Sequence, residues 1–136
     1  MIPNTDRKPG GPAIAIAWEC LSNYTRDDAF SARLTLRNDA PEPIAPGWAI
    51  CFNTCRKVLP GSVSAGYALE HINGDLFRLT MPGSGPWMPG ASLTVDYEAL
   101  HWAISITDAP LGFHLLPARG GPVDLGDPGI APFARP

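Results

Sequence analysis

The sequence predicts an all-β fold, an antiparallel β-sandwich, from three observations. Short apolar runs alternate with period two, as strands with one buried face do. Asn-Gly, Pro-Gly and Gly-Pro punctuation recurs about every ten residues between them. No amphipathic helix of three turns can be found anywhere in the 136 residues. Regularly spaced short strands without intervening helices pack as face-to-face sheets.

Taken in order, residues 1 to 12 are polar and Pro/Gly-rich, a flexible N-terminal arm. From residue 13 Ile14, Ile16, Trp18 and Cys20 share one face and Ala13, Ala15, Ala17 and Glu19 the other, so the bulkier face is the predicted core. Ala29 to Asn38 is the clearest strand, with Phe30, Ala32, Leu34 and Leu36 inward and Ser31, Arg33, Thr35 and Arg37 in water. Asp39 to Pro46 holds three prolines and reads as a loop. Gly47 to Val58 is apolar on both parities in its first half, which predicts a central strand covered on both sides or one broken by a bulge, stopped by Pro60-Gly61. Tyr67 to Ile72 and Leu76 to Met81 flank Asn73-Gly74, a strong type I′ hairpin signal, with Asp75 available to lengthen the turn. After the loop Pro82 to Gly90, Ala91 to Glu98 alternates Leu93, Val95 and Tyr97 against Thr94, Asp96 and Glu98. Trp102, Ile104 and Ile106 repeat the pattern, and Gly112 to Leu116 is a last short strand, giving roughly eight. Residues 117 to 136 return to non-periodic Pro/Gly-rich sequence and read as a linker towards a further domain.

Composition narrows the function. One domain of this length buries about two thirds of its unfolded surface, enough for a core without staples. The net charge is -3 and the ten basic residues are scattered, which argues against nucleic acid or an anionic membrane as partner. No apolar stretch approaches the ~18 residues of a spanning helix. Three cysteines give a poor metal signal, and no metal or cofactor is expected. Cys51 and Cys55 on one straight strand would stand about 13 Å apart, too far for a disulfide unless Asn53-Thr54 turns.

Candidate chemistry is sparse. Asp96 and Glu98 with His101 offer paired carboxylates about 7 Å apart, a separation compatible with acid and base roles. The same residues are what the wet face of an amphipathic strand requires, and a flat face has no cleft to raise a carboxyl pKa. His71, Asn73 and Asp75 gather at a hairpin whose turn geometry accounts for the Asn and Asp. His114 alternates with Phe113 and Leu115 and points to solvent. There is no nucleophile elbow and no phosphate loop, so no catalytic residue is assigned.

Asn73-Gly74-Asp75-Leu76, the Pro-Gly ahead of Ala91 to Glu98, and Asp108-Ala109-Pro110-Leu111-Gly112-Phe113 recur in one known domain. Upstream, Trp18-Glu19-Cys20-Leu21-Ser22-Asn23-Tyr24, Leu34-Thr35-Leu36-Arg37-Asn38 and Gly47-Trp48-Ala49-Ile50-Cys51-Phe52-Asn53 follow the same order. Residues 13 to 116 thus resemble the N-terminal carbohydrate-binding domain of bacterial chitobiases and β-N-acetylhexosaminidases of glycoside hydrolase family twenty. The resemblance implies a sandwich of the cellulose-binding type. It also implies a non-catalytic accessory module, periplasmic or secreted, whose partners are chitin-type or other N-acetylglucosamine-containing glycans and the neighbouring domains of a parent enzyme. Catalysis in that family uses an adjacent Asp-Glu pair on a separate barrel, and this chain has no adjacent Asp-Glu. The alternative function is a structural scaffold between domains without glycan affinity; a free-standing hydrolase is a third class.

Sugar binding on sandwiches depends on aromatic faces, and the candidate contacts are Trp87, Trp48 and Tyr67. Parity places Trp18 and Trp102 in the core, and Trp48 opens a two-sided apolar strand that favours burial. Trp87 lies in a loop without alternation, so its ring either caps the sandwich edge or stands in solvent.

Overall fold

The computed structural model describes residues 14–26, 29–59, 61–64, 66–81, 85–100 and 109–130. Trp102, Ile104, Ile106, His101 and the N-terminal arm lie outside these residues. The strands are β1 (Ile14–Arg26), β2 (Ala29–Asn38), β3 (Ala49–Asn53), β4 (Ala68–Asn73), β5 (Leu76–Thr80), β6 (Ser92–Leu100), β7 (Leu111–Leu116), β8 (Val123–Gly126) and β9 (Gly129–Ile130). They form a four-stranded sheet, β6-β2-β1-β9, and a five-stranded sheet, β4-β5-β3-β7-β8. Among the described residues every strand pairing is antiparallel except β1 with β9.

Alternation in β2 dictates the first sheet. Leu34 sits opposite Trp18 on β1 and Val95 on β6, while its neighbour Arg33 sits opposite Glu19 and Asp96. The first trio is buried and Arg33 is exposed, as period two requires. The second sheet contributes Ile50, Phe52, Phe77, Leu79, Phe113 and Leu115, all buried. Phe52 stacks on Phe113 with ring centroids 4.8 Å apart, and lies 6.3 Å from Phe77. A buried hydrogen bond joins Trp18 to Tyr97, the indole N–H donating to the phenol oxygen at 2.9 Å. Burial pushes the Tyr97 phenol well above its ordinary pKa.

Three expectations need correction. The strand predicted over Gly47 to Val58 is the central strand of its sheet and has a register shift between Cys51 and Asn53, in keeping with the predicted bulge. It is regular only from Ala49 to Asn53, so its length is what needs correction. Beyond it Thr54 donates its backbone N–H to Asp75, and the chain then crosses to the other sheet. There Leu59 N donates to Glu98 O, Ser64 N to Asp96 O and Leu100 N to Lys57 O, all at 2.8–2.9 Å, so this segment covers the edge of β6. Unpaired edges invite association, and a strap of backbone hydrogen bonds removes that hazard.

The hairpin is displaced as well. Asn73 pairs with Leu76, so Gly74-Asp75 makes the turn, with Gly74 at φ +50° and a register shift between His71 and Asn73. Finally, residues 123–130, expected to be linker, include β8 on β7 and β9 on β1. The two strands have four and two residues, too short for periodicity to register.

Candidate functional site

The three aromatic residues singled out by sequence fall in two places. Trp48 and Trp87 meet each other, ring centroids 5.0 Å apart and tilted by 40°. Both are in the core, at 5% and 3% exposure, so neither ring presents a face to a sugar. Trp87 is a cap on the sandwich edge. Its backbone N–H donates to Ile44 O at 2.8 Å, Ile44 N donates to Trp87 O at 2.9 Å, and the indole N–H reaches Ala91 O at 3.0 Å.

What draws this loop inward is Asn38, a residue that sequence reasoning passed over. It ends β2 and is fully buried. Its Nδ2 donates to Trp87 O at 2.9 Å and to Glu42 O at 3.2 Å, and its Oδ1 accepts from Ala40 N at 2.9 Å. Its backbone N–H and C=O are paired with Ala91 and Gly90. A buried amide with its hydrogen-bonding capacity met fixes the loops on either side of it. The available signal was an Asn at an inward parity of β2, where an apolar residue would ordinarily continue the stripe.

Tyr67 lies elsewhere, just ahead of β4, with its N–H on Ser64 O. Its ring is partly buried against the core. Desolvation raises its phenol pKa, opposed by a hydrogen bond with the Thr94 backbone. Of the three candidates it alone keeps part of its surface in water.

The Asp96 carboxylate is arranged for structure. Asp96 receives both arms of Arg33, Nε to Oδ1 at 2.8 Å and Nη2 to Oδ2 at 2.9 Å. Arg33 holds that carboxyl below the usual range, opposite to the shift a general acid needs. Beside it, the Glu98 backbone N–H donates to Ser62 Oγ at 3.0 Å and its carbonyl accepts from Leu59 N, which ties the backbone there to the strap. His71 donates Nε2–H to Gly74 O at 2.7 Å and lies 5.0 Å from the Phe77 ring, anchoring the hairpin. His114 is exposed, as parity predicts, with Nδ1 on Gly112 O at 3.0 Å. Among the described residues no group of three His, Cys, Asp or Glu is placed to hold a metal ion.

The fold is similar to that of several solved structures. The exo-β-N-acetylglucosaminidase of family GH20 from Vibrio harveyi aligns with a TM-score of 0.71 at 18% identity, covering 90% of this chain and 19% of that one. This chain therefore spans about a fifth of that enzyme's length. The chitin-binding domain of Chi18aC from Streptomyces coelicolor aligns with a TM-score of 0.55 at 14% identity, over 79% of this chain and 93% of that domain. A biomass-sensing module of Clostridium thermocellum that resembles family 3 carbohydrate-binding modules gives 0.51 at 10% identity, over 92% and 100%. No curated protein matches by sequence. The family model described as a putative carbohydrate binding domain, however, matches residues 15–114, from β1 through the buried Trp48 and Trp87 to His114 on β7, and the chain belongs to that family.

Proposed function

We propose that this chain is the non-catalytic accessory module of a β-N-acetylhexosaminidase-like enzyme, and that it contacts chitin-type or other N-acetylglucosamine-containing glycans outside the cytoplasm. The observation that carries the reading is the family match over residues 15–114 on a two-sheet fold. The chitin-binding neighbour supports the choice of glycan. The non-catalytic role is supported by the use of Asp96 and His71 as structural groups, the first held by both arms of Arg33 and the second bonded across its own hairpin to Gly74.

Isothermal titration with soluble chitooligosaccharides and sedimentation with insoluble chitin test the binding. The chain is expected to bind at least one of them and to release no chromophore from a chromogenic N-acetylglucosaminide between about pH 4 and 8, the range over which carboxylate and imidazole catalysts change charge. Binding to neither form of chitin would defeat the glycan assignment. Turnover abolished by Asp96→Asn would defeat the accessory role.

A second reading, an interdomain scaffold without glycan affinity, is favoured by one observation. Both tryptophans best suited to stacking on a sugar are spent on the core.

A further inference from the structure

We propose that the glycan contacts the outer face of the five-stranded sheet, lying across the strands along a row made by Glu70, Arg78, Cys51, His114 and Asp124. This inference rests on the glycan-binding reading above and names its surface. Register puts the five side by side: Glu70 opposite Arg78, Arg78 opposite Cys51, Cys51 opposite His114, and His114 opposite Asp124. Each strand supplies one residue, and four interstrand spacings make the row about 19 Å long. Their sequence neighbours Phe77, Leu79, Ile50, Phe52, Phe113 and Leu115 are buried, so the row faces water.

The chemistry of the row suits an uncharged polyhydroxy chain. Carboxylates at the two ends of the row accept, Asp124 Oδ1 already from Gly126 N at 2.9 Å, while the guanidinium and imidazole between them bring donors, so that sugar hydroxyls and amides can answer in either sense. Charges of both signs lie within the same row, which suits a neutral chain better than a polyanion. Arg78 touches Glu70 through one nitrogen, leaving further N–H donors of its five. His114 uses Nδ1 on Gly112 O and keeps Nε2. Beside the row lie Leu76, half-buried, and Leu111, 47% exposed, both opposite Asn53, as apolar contacts for the C–H faces of pyranose rings. The four-stranded sheet is less suited: its Arg33 closes two bonds on Asp96, and Lys57, Leu59 and Ser64 hydrogen-bond along the edge of β6.

The test is titration of the full chain with chitohexaose, and sedimentation with chitin, for wild type, Arg78→Ala, His114→Ala and Arg33→Ala. Thermal melts confirm that each variant is folded. Loss of a charge-assisted hydrogen bond should weaken binding about tenfold for Arg78→Ala and several-fold for His114→Ala, with Arg33→Ala within about twofold of wild type. That pattern supports the surface. Wild-type binding that survives both Arg78→Ala and His114→Ala overturns it while leaving the glycan reading intact, and a loss confined to Arg33→Ala moves the site to the opposite sheet. Failure of the wild type to bind removes the reading and this inference together.

Discussion

Replacing Asn38 by aspartate exchanges a single NH₂ for an oxygen at a site with no solvent exposure. The acceptor to Ala40 N is retained, but the two donors to Trp87 O and Glu42 O are replaced by an acceptor that faces two carbonyl oxygens. Removing the group altogether, as in Asn38→Ala, deletes three hydrogen bonds worth about 1 kcal/mol each and leaves Ala40 N without its partner; Trp87 O keeps its bond from Ile44 N. The alanine variant should therefore lose about 2 to 4 kcal/mol. The aspartate variant at neutral pH adds a buried charge without a cation and should lose about 3 to 5 kcal/mol. Burial and the facing carbonyls raise the folded-state pKa of the new carboxyl above its unfolded value of about 3.9. The folded state then binds the proton more tightly, so this penalty is smallest below about pH 4 and grows as pH rises through the folded-state pKa. Urea unfolding followed by tryptophan fluorescence at pH 4 and 7, for wild type and both variants, measures each quantity, with an unchanged slope as the check on two-state behaviour. If both variants lie within about 1 kcal/mol of wild type, or if the gap between aspartate and wild type does not widen with pH, Asn38 is not the clamp described above.

Trp87→Ala should cost about 3 to 5 kcal/mol by chemical denaturation, because the ring is core packing against Trp48; a variant of native stability would mean that the ring is exposed. Leu34→Ala should lose about 2 to 5 kcal/mol and Arg33→Ala less than about 1 kcal/mol, and equal losses would mean the register of β2 is wrong. All three cysteines are thiols, so unfolded, unreduced protein should titrate three with a thiol reagent. In the native state the exposed Cys55 should react first and the buried Cys20, whose pKa desolvation raises, last; a count of one would reveal a disulfide.

The class of the fold and the inward face of its strands could be read from residue order alone. In β2 and β6 side chains alternate between core and water, and residue type reports that alternation directly, so Phe30, Leu34, Val95 and Tyr97 were legible one strand at a time. The family resemblance was legible too, because ordered local motifs survive where overall identity does not. Whatever depends on a partner distant in the chain had to wait for the packed fold. Trp87 could be cap or sugar platform until Asn38, 49 residues away, bonded its carbonyl and drew the loop inward. Gly47 to Val58 reads as one strand because periodicity says that a face is covered and not by which sheet; its second half belongs to the edge of β6. Nor could the row from Glu70 to Asp124 be read off the chain, since it exists only through the registers of five strands, and a slip of one residue in any of them would turn that strand's side chain to the opposite face.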